Sequence, residues 1–537
     1  MSTDAPQHVT TAAIVPEGAG SESTRAERSP APGAARAAPR TIAVFILGLA
    51  LATALGAGLR LYQLDAHSFW ADELYTLSAL ASDAPASPPW RGWSHWSSAL
   101  SLRLSGADLA SAHPDEPWAW RSLGLTERAA RLGPAVLGIV AIPLLAVLAL
   151  PMLGRRGALL LALLIAAAPW HVYWSQNARF YMPLSIAVAA FLTLYYHGTR
   201  RGSQWHIVAA IVCFVIAYLH HAPAIFLAAV LPADWLIARW MGRPLRLERV
   251  GWIAAVASVG LCALLLALDM TLLSASWEHL AEQPRGHGPA MLLAGTAYMG
   301  QATLMVLAGL TAYALIRRGE RLGWYLSLAA AAPLGALFYL TATDQTFVHT
   351  RYGFFAYFAY LALAAAGLTR IEARLRPRCG PVLACAPAAV VVVALLQMSY
   401  FYHSGGQGFR SMWGQAFAWV DAQADPEAGH VAGEAGHVAG APVMTNFTLA
   451  GFYYLEDDPR RVKGFPDSPA QLEARAAAAM DETGAPGVWL VTAVETAQGR
   501  AAEAWIDREA ELKAYFDTRI EQPHSSVRVY WYAPDGQ

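Results

Sequence analysis

The chain is 537 residues long, 56% hydrophobic and only 14% charged, with a mean hydropathy of +0.33. One soluble core does not bury that much apolar surface, so the composition indicates a polytopic membrane protein. The formal net charge of −1 argues against a nucleic-acid partner. The four cysteines, Cys213, Cys262, Cys379 and Cys385, lie in or beside apolar runs, so neither a disulfide framework nor a cysteine metal site is expected.

Residues 1 to 39 are rich in Ala, Pro, Ser, Thr and Glu with no apolar period, which predicts a disordered tail. The run TIAVFILGLALATALGAGL (41 to 59) is too long for a signal-peptide core and is read as an uncleaved span. Further spans are expected to begin near Gly133, Gly157, Phe180, Trp205, Ala222, Gly251, Pro289, Gly323, Tyr352 and Pro381. That gives about eleven transmembrane helices within residues 40 to 402.

Loop charge sets the orientation. With the N-terminus cytoplasmic, the inner loops hold Arg155, Arg156, Arg200, Arg201, Arg239, Arg243, Arg246, Arg249, Arg317, Arg318, Arg321, Arg370, Arg374, Arg376 and Arg378, while the short outer loops hold Arg179, Arg285 and Arg351. This bias predicts a bacterial plasma-membrane protein with its N-terminus inside. A large first loop (about 61 to 131) and residues 403 to 537 are then extracytoplasmic.

The first outer loop opens with HSFWADELYT (67 to 76), where Asp72 and Glu73 follow Trp70 at a membrane boundary. Further on, Trp90, Trp93 and Trp96, followed by Leu100, Leu102 and Leu104, fit an amphipathic segment lying in the interface. Arg179 in WSQNARFYMP and Arg351 in FVHTRYGFF sit at the outer mouths of spans, where an unpaired charge near hydrocarbon is costly. Acids and bases at one membrane level suggest a site for an anionic lipid head group and a proton. For each arginine alone, snorkelling or a surface ion pair remains open.

Past Tyr402 the apolar runs shorten to strand length: APVMTN (441 to 446), GVWLVTAV (487 to 494) and VRVYWYAP (527 to 534). They alternate with SPAQLEARAAAAM and AAEAWIDREAELKAYF, read as helices, which predicts a small α/β domain. The tandem EAGHVAG (427 to 440) is read as a loop expansion, with His430 and His437 as a minor metal alternative. No glycine-rich phosphate fingerprint follows a strand, so no nucleotide site is expected.

Four stretches, RLYQLDAHSFWADELYTLSAL, ERAARLGPAVLGIVAIPLL, APWHVYWSQNARFYMPLSIAVAAFL and HTRYGFFAYFAYLALAAAGL, together resemble the bacterial membrane glycosyltransferases of the protein-mannosyltransferase and aminoarabinose-transferase type, with the GT-C fold of glycosyltransferase family 39. The resemblance covers roughly residues 41 to 370. It implies an integral enzyme that moves a sugar from a polyprenyl-phosphate carrier to an extracytoplasmic protein, lipid or glycan.

By family analogy Asp72 is the base that takes the acceptor proton, and Glu73 has an orienting or hydrogen-bonding role. A leaving phosphate calls for cations, and the only lysines, Lys463 and Lys513, lie beyond the membrane part. The clamp is therefore expected to be arginine, with Arg351 first and Arg179 second. Trp70, Gln176, Asn177, Tyr181, His349 and Tyr352, from the same stretches, are candidate contacts to the donor or its phosphate. Many relatives carry an acid where this chain has Asn177, which puts that acid's role in doubt here. His220, His221 and His349 are further candidates for sugar, phosphate or metal. No metal or other cofactor is required by this scheme, though His and carboxylate groups at the outer face leave room for a divalent ion. The alternatives are a transporter or flippase of lipid-linked sugars, and a catalytically inactive lipid-binding protein.

Overall fold

The computed structural model describes residues 39–82, 94–246, 288–343, 350–404, 411–423, 440–466, 471–493, 497–516 and 526–534, with part of 249–267. The N-terminal tail, Trp90, Trp93, Cys262, Arg285, His349, the EAGHVAG repeat and most of the span expected near Gly251 lie outside the described residues.

The helices in chain order are α1 (Pro39–Leu61), α2 (Ala71–Ala81), α3 (Trp96–Leu104), α4 (Glu127–Ala167), α5 (Pro169–Ser175), α6 (Tyr181–Arg201), α7 (Gln204–His220) and α8 (Val230–Trp240). Next come α9 (Pro289–Gly300), α10 (Ala302–Arg317), α11 (Arg321–Ala342), α12 (Tyr357–Ala384) and α13 (Ala386–Ser404). The C-terminal region adds α14 (Trp413–Ala422), α15 (Thr448–Tyr454), α16 (Leu472–Thr483) and α17 (Ala497–Glu509).

Among the described residues six helical segments are long and apolar enough to cross a membrane, and α7 and α10 are shorter apolar helices. The expected count of eleven is therefore not reached by length and composition alone. Helix α6 shows one reason: it is 21 residues long but buried along nearly its whole length, so it carries Tyr195, Tyr196, His197 and Thr193 without facing lipid. In contrast, only 11% of the apolar window in Ile42–Leu61 is buried, against 78% for Thr350–Ala384, which runs through the centre of the bundle.

Two glycines divide helices that would otherwise overrun the bilayer. The 41 residues of α4 would extend about 60 Å, twice the hydrocarbon thickness. Gly154 breaks the run with φ +68, a conformation open to glycine, and so separates the two spans expected near Gly133 and Gly157. Gly380, at φ +79, breaks α12 four residues before its end, and the part after it leads into α13.

A third break, at Pro169, is stabilised by a buried cation. Pro169 has no N–H, which leaves the carbonyl of Ile165 without its helical donor. Arg60 Nη2 donates to that oxygen at 2.9 Å. The rest of the guanidinium contacts Ala166 O, Gly56 O, Ser175 Oγ and His171 Nδ1, so all five of its N–H groups are used in a fully buried site.

The C-terminal sheet contains β1 (Val443–Thr445), β2 (Val462–Gly464), β3 (Val488–Ala493), β4 (Glu511–Phe516) and β5 (Val527–Tyr532), in the order β2-β1-β3-β5-β4. Strands β2, β1 and β3 pair in parallel, and β5 pairs antiparallel with both β3 and β4. The expected strands correspond to β1, β3 and β5. ELKAYF, read as the end of a helix, is instead the edge strand β4, and its Glu511 and Lys513 are charges of the kind that protect an exposed edge.

The loop between α1 and α4 and this sheet share one core. Phe69, Leu74, Leu77, Trp120 and Leu125 pack in a single cluster with Trp413, Phe417, Tyr453, Trp489 and Val529. Helix α3 presents Trp96, Leu100 and Leu104 on one exposed stripe while Leu102 is buried, so the expected amphipathic face exists without Leu102.

Candidate active site

Two elements distant in sequence converge on Asp72, the second residue of α2. Arg179 comes from the turn between α5 and α6, and Arg351 from the short 3-10 turn Thr350–Ala356 that leads into α12. Arg351 Nη2 lies 3.2 Å from Asp72 Oδ2, and Arg179 Nη2 lies 3.8 Å from the same oxygen. All three side chains are partly accessible, at 13% for Arg351, 18% for Arg179 and 20% for Asp72. The first turn of α2 adds its positive end to the charges around the carboxylate.

Each arginine is also held from a second side. The Arg351 guanidinium lies over the Trp70 ring at 4.8 Å and near Tyr352 at 5.7 Å. Arg179 Nη1 donates to the Asp72 carbonyl at 3.2 Å and to Thr76 Oγ1 at 3.0 Å, with its head over Phe180 at 5.1 Å.

Glu73 points into a different environment. It is fully buried and receives Arg131 Nε at 2.8 Å on Oε1 and Nη2 at 2.7 Å on Oε2. The backbone N–H of Ala178 donates to Oε1 at 2.8 Å, and that of Trp70 to Oε2 at 3.4 Å. Arg131 in turn donates to the carbonyls of Leu64, His67 and Ser68. This pair locks the 64–73 segment, the start of α4 and the 176–179 turn together just behind Asp72.

The C-terminal region braces the same segment from the other side. Tyr454 Oη accepts from Phe69 N at 2.6 Å and donates to Glu127 Oε1 at 3.0 Å. Ser68 Oγ donates to Gln415 Oε1 and accepts from Gly414 N at 3.0 Å.

The remaining candidates divide. Tyr181 stacks on Trp174, with centroids 3.8 Å apart. His221 packs against Phe180 and Tyr352, and thereby joins the aromatic wall beside the arginines. Gln176 is committed elsewhere: its amide donates to Arg60 O and Tyr62 O at the end of α1, and its oxygen accepts from Tyr402. Asn177 is fully buried, and neither amide atom bonds to any described residue, the condition in which a water or ligand group normally completes the site. His220 is tied to Ile216 O and to Trp96 Nε1.

Two important residues escaped the sequence reading. Arg131 stands in a stretch that carried the resemblance, but its role depends on a partner 58 positions away. His95, at the N-cap of α3, is pushed down to about 3, chiefly by burial and then by the charge of Arg179 and by His220, with Asp72 opposing. It is therefore neutral beside the acid-base cluster at physiological pH. A histidine in a tryptophan-rich loop gives no signal of that proximity.

Among the described residues no three His, Cys, Asp or Glu side chains come close enough to hold a metal ion. Cys213, Cys379 and Cys385 are free.

No protein-family model and no curated protein sequence matches the chain. Solved structures do. ArnT from Cupriavidus metallidurans in the apo state aligns over 92% of this chain and 98% of its own, with a TM-score of 0.52 and 14% identity. The archaeal oligosaccharyltransferase AglB from Archaeoglobus fulgidus, in complex with an inhibitory peptide and a dolichol-phosphate, aligns over 92% of this chain and 75% of its own, with a TM-score of 0.50 and 13% identity. The chain has the GT-C fold of membrane glycosyltransferases.

Proposed function

We propose that this protein is a membrane glycosyltransferase that moves a sugar from a polyprenyl-phosphate carrier to an acceptor at the outer face of the bacterial plasma membrane. The observation that carries the reading is the meeting of Arg351 and Arg179 on Asp72, at partial exposure, in front of a closed Glu73–Arg131 pair. The AglB neighbour, which holds a dolichol-phosphate and a peptide, supports a lipid-linked donor and a separate acceptor.

In this scheme the acceptor hydroxyl oxygen attacks the anomeric carbon, and its proton passes to Asp72. The bond from that carbon to the phosphate oxygen breaks on the opposite face, and the electron pair leaves with the polyprenyl phosphate. Arg351 and Arg179 meet the charge as it grows there. In the free protein both guanidiniums lie on the Asp72 carboxylate, and a donor phosphate that draws them away leaves its oxygen open to the acceptor hydroxyl. In this scheme charge stabilisation falls to the two arginines.

Glu73 acts as a positioning residue. The C-terminal region, bonded to the motif through Tyr454, braces the segment that carries Asp72, and in this reading it presents the acceptor. The loop charge bias supports an inward N-terminus and an outward sheet.

The test is release of free polyprenyl phosphate from a panel of polyprenyl-phosphate sugars, with membrane extract as acceptor, by the wild type and by Asp72→Asn. Turnover of one donor by the wild type, with loss of most of that rate in a folded Asp72→Asn, is the expected result. No release with any donor would instead favour lipid transport or lipid binding, and a fully active Asp72→Asn would remove Asp72 as the base.

A further inference from the structure

At the end of the helices far from Asp72 lies a cavity of about 370 Å³. Helix α6 begins beside Arg179 and runs 21 residues to Arg201, so about 30 Å of helix separates the two sites. The cavity is lined by Arg200, Arg321, Arg370 and Glu320, with Leu153 and Leu322 among its apolar walls.

Its charges are not equally engaged. Arg321 is held by the buried Asp234, donating from Nε to Oδ1 at 3.2 Å and from Nη2 to Thr199 Oγ1 at 2.7 Å, with its head 4.8 Å over Tyr196. Arg370 Nη2 meets Glu320 Oε2 at 2.7 Å. Arg200 is exposed, and the contact it makes is to a neutral acceptor, Pro151 O, at 3.3 Å. Three guanidiniums against two carboxylates leave one positive charge uncompensated at the mouth of a polar cavity with apolar walls, at the end of membrane-crossing helices.

We infer that this cavity binds the phosphodiester head group of an anionic membrane lipid at the face opposite the catalytic site. A phosphodiester carries one negative charge, which equals the surplus, whereas free phosphate at neutral pH carries more. The apolar walls suit the first carbons of the lipid, and basic pockets between helices are an established way to hold such head groups. The fixed Arg321 and the partly accessible Arg370 supply planar donors for phosphate oxygens, and Arg200 supplies the unbalanced charge. The lipid bridges α4, α6, α11 and α12, which all contribute to the cavity.

The test is native mass spectrometry of the detergent-purified full chain with added phosphatidylglycerol or phosphatidylcholine, alone and with inorganic phosphate as competitor. Phosphatidylglycerol should be retained in preference to phosphatidylcholine, and inorganic phosphate at equal concentration should not displace it. Arg200→Ala should weaken retention about tenfold, the lower end for a charged hydrogen bond. Thr369→Met, which fills the cavity and leaves every charge in place, should weaken it as well, and it decides between the outcomes if Arg200→Ala does not fold. Arg239→Ala, exposed on α8 and outside the cavity, should change nothing. Equal retention of the two lipids, displacement by inorganic phosphate, or an Arg239→Ala loss as large as that of Arg200→Ala would each overturn the inference.

Discussion

The two faces of the α2 N-terminus hold the same chemistry, a carboxylate against guanidinium, in two different environments. Behind it, Glu73 and Arg131 are fully buried, bidentate and surrounded by backbone partners. In front, Asp72 shares one oxygen between two arginines that reach it from different elements at unequal distances, with all three side chains partly open to solvent. A closed pair can only hold structure. An open one can exchange its partners for a substrate phosphate without leaving a buried charge alone. Burial thus sets adjacent residues of one helical turn apart, Glu73 closed off and Asp72 open.

That separation can be broken at several points. Glu73→Gln should have the largest effect on folding, because it leaves Arg131 buried without its counter-charge. A loss of about 3–5 kcal/mol, read as a lower thermal midpoint and poor yield, is expected. Arg351→Gln should leave the midpoint near that of the wild type and lower turnover about 10²- to 10³-fold, as for loss of one oxyanion-type donor, with Arg351→Lys recovering only part. Tyr454→Phe removes the acceptor of Phe69 N and the donor to Glu127, and should cost about 1–3 kcal/mol in chemical unfolding.

At neutral pH the smallest effect is that of His95, which emerges only as the solution is acidified. Its folded pKa, about 3, lies below the unfolded value near 6.5, so its burial favours the folded state fully above pH 6.5. That contribution is lost as pH falls toward 3. His95→Gln should flatten the decline in stability between those limits, as measured by melting across pH.

The sequence made the membrane class, the strands β1, β3 and β5 and the pair Arg179 and Arg351 legible, because each leaves a local mark: an apolar run, a strand-length apolar segment, or a positive charge against the loop bias; Asp72 was reached through the family resemblance of its stretch. What it hid depends on distance. Arg131 finds Glu73 across 58 positions, and Tyr454 finds Phe69 across 385. Gln176 looked like a site residue because of its neighbours, yet its side chain turns to the end of α1. Strand β2 has three residues and no pattern to read, and β4 has a pattern that its charges disguise. The shared core of the first loop and the sheet likewise joins segments more than 300 residues apart.

The most direct measurement of this division of labour is to follow polyprenyl-phosphate release and thermal unfolding in parallel for Asp72→Asn and Glu73→Gln. Asp72→Asn should lose most of its turnover at a midpoint close to the wild type, while Glu73→Gln should lose its midpoint first. If Asp72→Asn unfolds as readily as Glu73→Gln, or if Glu73→Gln stays folded and Asp72→Asn stays active, the assignment of chemistry to one carboxylate and structure to the other is wrong.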